Sequence, residues 1–166
     1  MPDDLEDFFD AHHGMVFRTA YRITGNAADA EDVLQTVFLR LLRRDRAALP
    51  VDSPESYLRR AAVNAALDIV RAGRDQRDVP LDQAPTPAVS VAGGQGSNEL
   101  RSQLRQALAK LQPREAEVFA LRFFEDRSNQ EIARTLGISQ VHVAVILHRT
   151  RRQLQKEMGS YVGDRR

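Results

Sequence analysis

Ser128 to Leu154, SNQEIARTLGISQVHVAVILHRTRRQL, holds the side chains of this protein best suited to gripping another molecule. Between Glu131 and Glu157 there is no acidic residue, while Arg134, Arg149, Arg151, Arg152 and Lys156 all fall there. Guanidinium forks unopposed by carboxylates suit a phosphate backbone. Two short helices must position them. Ser128 and Glu131 have the spacing of a capping box, Gly137 supplies a left-handed stop, and Ser139 caps the helix that follows. The helical period buries Ile132, Ala133 and Leu136 in the first helix and Val143, Leu147 and Leu154 in the second. Ala144, Val145, His148, Arg149 and Arg152 then face outward, with Arg151 on their flank. This is the layout of a helix-turn-helix lying on DNA, and the alternative is a basic helix end that only complements its own dipole. The second helix is unusually apolar for a groove reader, with Val141, Val143, Ala144, Val145, Ile146 and Leu147 in one run.

Other chemistries find little support. His12, His13, His142 and His148 have no carboxylate-rich constellation or metal-ligand spacing around them, and His12 and His13 read as surface residues of the first helix. Gly93, Gly94 and Gly96 follow no strand and so form no phosphate-cradling loop. With no cysteine, disulfides and thiolate metal sites are excluded. No catalytic site, cofactor, metal or small-molecule substrate is therefore expected. No apolar run approaches the roughly 20 residues of a membrane span, and the acidic start MPDDLEDFFD does not resemble a signal peptide. A cytoplasmic protein without membrane insertion is expected.

The net charge of +1 conceals a strong asymmetry. Residues 1–35 carry −6 and residues 78–98 carry −2, whereas residues 36–77 carry +4 and residues 99–166 carry +5. Different segments should therefore meet different partners. All but two of the 24 basic residues are arginine, which fits forked phosphate contacts and would equally follow from a GC-rich genome.

Helical periodicity without any strand pattern predicts an all-α chain of two small domains joined by a flexible linker. Residues 1–75 contain three helices. The first uses Leu5, Phe8, Phe9, Met15, Val16, Ala20 and Ile23 and ends at Gly25. The second starts after Asn26 and carries an apolar stripe of Val33, Leu34, Val37, Phe38, Leu41 and Leu42. Ser53 and Pro54 open the third, whose stripe is Tyr57, Leu58, Ala61, Ala62, Ala65, Ala66, Ile69 and Val70. Residues 76–98 are rich in proline and glycine and read as a tether. Residues 99–158 contain four helices, Leu100–Leu111, Pro113–Glu125 and the helix-turn-helix pair, and residues 159–166 form a tail.

Three segments in this order, GNAADAEDVLQTVFLRLLR from Gly25, YLRRAAVNAALDIVR from Tyr57 and LHRTRRQL from Leu147, resemble the extracytoplasmic-function sigma factors of bacterial RNA polymerase. The resemblance covers nearly the whole chain. It implies that residues 1–75 bind core polymerase and the minus-10 element, and that residues 99–158 bind the minus-35 element. On the second helix, Asp29, Glu31, Asp32 and Gln35, with Phe38, Leu39 and Arg40 beyond, would dock on core polymerase. Thr36 replaces the glutamate that the family often has there. The plain alternative is that Asp29, Glu31 and Asp32 only favour a helix N-terminus, although Gln35 gains nothing from the dipole. On the third helix, Tyr57 stands where the family often has tryptophan, Asn64 matches a position contacting a captured base, and Asp68 lies one turn further on. Arg59, Arg60, Arg71 and Arg74 would hold phosphates, and the loop Asp45–Ser53 would shape the base pocket. Tyr57 could equally be a core aromatic, whereas Asn64 is hard to explain by packing in so alanine-rich a helix.

In the C-terminal helix the resemblance implies minus-35 contacts by Ser139, Gln140, His142, Ala144, Val145, His148, Arg149, Arg151 and Arg152. Three readings of its apolar run remain open. Ala144 and Val145 touch thymine methyls, or binding rests on phosphates and DNA shape, or the face packs on a protein such as an anti-sigma factor. The expected function is promoter-specific initiation with core polymerase. Its rivals are a helix-turn-helix repressor working without polymerase and a decoy that sequesters an anti-sigma factor.

Overall fold

The computed structural model describes residues 2–44, 53–75 and 94–163, so that of the expected base-pocket loop Asp45–Ser53 and tether 76–98 the stretches 45–52 and 76–93 lie outside the described residues. Among the described residues there are seven helices and no strand. Helix α1 (Pro2–Thr24) stops where Gly25 takes φ 68° and donates its N–H to the Tyr21 carbonyl at 2.8 Å. The Asn26 side chain accepts the Asp29 N–H at 3.0 Å and starts α2 (Ala27–Arg43).

Helix α2 buries Ala30, Val33, Leu34, Val37, Phe38 and Leu41. Leu42, assigned to the same stripe from sequence, is instead 56% exposed. A step of about 100° per residue carries it off the buried arc and towards Gln35 and Leu39.

Helix α3 (Pro54–Asp75) is the centre of the fold, packing on α1 and α2 with one face and on α4 (Gly94–Ala109) and α5 (Pro113–Phe123) with another. Its start follows the expected cap, the Ser56 N–H donating to the Ser53 hydroxyl at 3.2 Å. Leu58, Ala62, Ala65 and Ala66 are buried on the first face. Val63 and Leu67 are buried too, and they lie on the opposite side with Arg60, Asn64 and Arg71. Sequence periodicity revealed only the first of these two stripes.

The two helical blocks thus meet directly through α3. Helix α4 begins at Gly94 rather than at the expected Leu100, taking Gly94 and Gly96 into its first turn and so occupying the end of the expected tether. Helix α7 (Gln140–Gly163) likewise runs past Met158 into the expected tail. Pro113 occupies the first turn of α5. The chain then turns through Asp126 at φ 54°, with the Arg127 N–H donating to the Leu121 carbonyl at 2.9 Å. Helix α6 (Asn129–Leu136) follows, and Gly137 ends it at φ 69°.

Candidate nucleic-acid interface

The expected capping box is complete. The Glu131 N–H donates to Ser128 Oγ at 3.1 Å, and the Ser128 N–H donates to Glu131 Oε1 at 3.1 Å. That backbone hydrogen bond, foremost, holds the Glu131 carboxyl below its ordinary range. Ser139 Oγ accepts the His142 N–H at 3.0 Å and starts α7.

Val143, Leu147 and Leu154 are buried, while Gln140, His142, Ala144, Val145, His148, Arg149, Arg151 and Arg152 are all exposed. Ile146, part of the apolar run noted in the sequence, is 6% exposed, so the outward part of that run is shorter than the sequence implies. Thr150 is also buried, its hydroxyl donating to the Ile146 carbonyl at 2.7 Å. One exposed residue escaped the sequence reading. Phe123, at the end of α5, is 43% exposed, and the Arg151 guanidinium stands 4.8 Å from its ring centroid.

On α2, Glu31, Asp32, Gln35, Leu39 and Arg40 are exposed as a docking face requires. Phe38 is not. It is buried, edge-on to Phe8 at 6.5 Å and to Phe9 at 4.8 Å, and so supports the face from beneath. Exposed Leu42 joins Leu39 in its place. Partial burial, then the nearby Asp32 charge, pushes the Asp29 carboxyl up from its ordinary value.

The expected minus-10 residues of α3 are engaged within the protein. Asn64 Nδ2 donates to Glu117 Oε2 at 2.6 Å, and Arg60 Nε donates to the same oxygen at 2.9 Å. Arg59 Nε reaches Glu125 Oε1 at 3.2 Å and its Nη2 reaches Glu55 at 3.0 Å. Arg22 Nη1 lies 2.6 Å from Glu125 Oε2, and the Thr19 hydroxyl donates to Glu125 Oε1. Asn64 therefore has a packing explanation that the sequence did not reveal. Arg71 lies 3.3 Å from the exposed Asp68 carboxylate, apart from the glutamate contacts, and its Nη2 is buried without a hydrogen-bond partner. Tyr57 is half-buried, and its hydroxyl accepts from Arg44 at 2.7 Å. The side chain of Arg74 lies outside the described residues.

His12 and His13 are half-buried rather than on the surface, lying against the rings of Phe8 and Phe9. Among the described residues no group of three His, Cys, Asp or Glu could hold a metal, and no helix is long and apolar enough to cross a membrane.

Comparison with known proteins gives this geometry a family. The model for sigma-70 region 2 matches residues 8–76, and that for sigma-70, region 4 matches residues 107–156. The chain is 31% identical over 157 residues to the RNA polymerase sigma-E factor of Streptomyces avermitilis, covering 95% of this chain and 86% of that one. It is 31% identical over 153 residues to the ECF RNA polymerase sigma factor SigL of Mycobacterium tuberculosis, covering 91% and 86%. With SigE of Mycolicibacterium smegmatis the identity is 34% over 154 residues, covering 90% and 60%. The capped helix-turn-helix, the exposed face of α2 and the polar residues of α3 thus stand in a protein that belongs to the extracytoplasmic-function RNA polymerase sigma factors.

Proposed function

We propose that this sigma factor directs promoter-specific initiation through three separate faces. The outer face of α2, Glu31, Asp32 and Gln35 leading to Leu39, Arg40 and Leu42, docks on core polymerase. The polar side chains of α3, Arg59, Arg60 and Asn64 with Tyr57, Asp68, Arg71 and Arg74 around them, hold the opened minus-10 strand. The outer row of α7 from Gln140 to Arg152 engages the minus-35 duplex. The observation that carries this reading is the outer row of α7. It is solvent-facing, free of acids and held at a fixed angle by two capped turns.

The chain then contributes binding and strand separation, and the polymerase contributes all catalysis. Such work places it in the cytoplasm with the chromosome, and an anti-sigma factor is a natural regulator of its exposed apolar residues. Reconstituted transcription with core polymerase and a promoter library tests the proposal. Initiation at a defined promoter set supports it. Tight duplex binding without polymerase, with no initiation, would replace it with a repressor.

A further inference from the structure

Among the described residues, Arg151 alone of the exposed arginines Arg149, Arg151 and Arg152 has an aromatic ring beneath it. Its guanidinium stands 4.8 Å from the Phe123 centroid, and that of Arg122 stands 5.6 Å from the same ring. Leaving a phenylalanine in water forfeits part of its hydrophobic gain, so exposed Phe123 calls for a reason. The ring is anchored from below. Buried Phe119 lies one turn earlier on α5, its ring centroid 4.7 Å away and its plane tilted by 40°. Helix α5 packs on α7, so Phe119, Phe123 and Arg151 form a stack that runs from the core to the flank of the α7 row.

A guanidinium can be held still in two ways. A carboxylate holds it by taking its N–H donors and cancelling its charge, as Glu125 and Glu117 hold Arg59 and Arg60. An aromatic ring holds it through the negative face of the π system and leaves the charge and most of the five donors available. Among the described residues no carboxylate pairs with Arg151. An arginine that is already held has less rotamer freedom to lose when it grips a ligand. The second cation at the ring adds to the local positive potential.

We propose that Phe123 is a positioning residue for minus-35 recognition, holding Arg151 ready for a backbone phosphate at the edge of the site. Such a contact adds affinity and fixes the register of α7 without reading sequence. This inference rests on the α7 row meeting the minus-35 duplex.

Side-chain NMR of the full chain reads the stack directly. The ring current should move the Arg151 Hδ protons upfield, and Phe123→Leu should return them to ordinary values. Unshifted protons in the unaltered chain overturn the stack. Binding of the core polymerase complex to a promoter duplex is then followed across a salt series. Arg151→Ala should weaken binding and lower the salt slope by about 1. Phe123→Leu should weaken binding about threefold, and should change nothing further once Arg151 is alanine. Equal losses in both backgrounds would give the ring a packing role alone and overturn the proposal. Singly, doubly and triply fluorinated phenylalanine at position 123 keeps the shape of the ring while draining its negative face. Affinity should fall in step with fluorination, and a flat series overturns the proposal even if Phe123→Leu fails to fold. If Arg151→Ala changes neither affinity nor slope, positioning falls as well. Arg149→Ala and Arg152→Ala then separate the two failures. A loss from either keeps α7 on the duplex, whereas silence from all three arginines removes α7 from it.

Discussion

Asn64 of α3 donates to the buried Glu117 of α5 across 53 positions of chain, at 2.6 Å. The residue expected to hold a promoter base is thus also a structural residue of the folded chain. A hydrogen bond to a charged group is worth about 1.5–3 kcal/mol. Asn64→Ala and Glu117→Gln should therefore each destabilise the chain, and the double variant should lose less than their sum. A double-mutant cycle by urea denaturation measures this coupling. An additive result would show that the contact contributes nothing in solution.

The same residue should behave differently on polymerase. If Asn64 gives up Glu117 for a promoter base there, Asn64→Ala costs only the base contact. We expect it to slow promoter opening, read by permanganate footprinting, more than it weakens initial binding. Equal losses in both would remove Asn64 from strand capture.

The legible parts of this fold were those whose determinants lie within a few residues of one another. Ser128 with Glu131, Gly137 and Ser139 fix the helix-turn-helix by local hydrogen bonds, and all were readable from spacing. The outward row of α7 followed from the helical period. The glutamate contacts could not be read in this way, because a buried Glu117 looks like any exposed helical glutamate until its partner 53 positions away is known. The second apolar stripe of α3 was hidden for a related reason. Val63 and Leu67 fall outside the stronger alanine stripe, and only packing on a second block gives them a purpose. Phe38 and Leu42 exchanged roles because periodicity locates the centre of a buried arc better than its edges.

The two left-handed glycines should differ in their tolerance of substitution. Forcing an L-residue into this conformation costs about 1–2 kcal/mol. At Gly137 an added methyl meets nothing within 4 Å, so Gly137→Ala should cost only that backbone strain. At Gly25 the methyl would lie 2.6 Å from Arg105 Nη1, so this guanidinium must also move. Thermal denaturation should rank Gly25→Ala as the more damaging, and the reverse order would show that Arg105 does not approach Gly25 in solution.

Two carboxylates in the first turns of helices carry opposite pH dependence. Glu131 is held below its ordinary value of 4.5. Its contribution to stability is present above that pH and is lost as the pH falls through the lower folded value. Asp29 is raised above 3.8, so its protonated form favours the fold. That contribution is present below 3.8 and is lost as the pH rises through the folded value. Amide NMR titration should show the Ser128 N–H shifting with a midpoint below 4.5, and Glu131→Gln should abolish the transition.

Arg149 is exposed in the acid-free row of α7 and should release a counterion when it meets a phosphate. Arg149→Ala should weaken minus-35 binding and lower the salt slope by about 1. An unchanged slope with weakened binding would move Arg149 from the phosphates to a base edge.

Val145 decides between the readings of the apolar helix. It is 41% exposed beside Ala144 and one turn from Val141, which is 74% exposed, while Ile146 turns into the core, so the apolar strip that faces outward is confined to these three small side chains. A strip of that width matches thymine methyl groups, and a bound protein would need a broader one. Replacing minus-35 thymines one at a time by deoxyuridine removes only the methyl. If Val145 touches one of these groups, one such replacement should weaken binding of the polymerase complex several-fold, and Val145→Ala should make the complex indifferent to it. Binding that ignores every replacement would leave phosphates and groove shape as the basis of minus-35 recognition. The arginines alone would then hold α7 on the duplex.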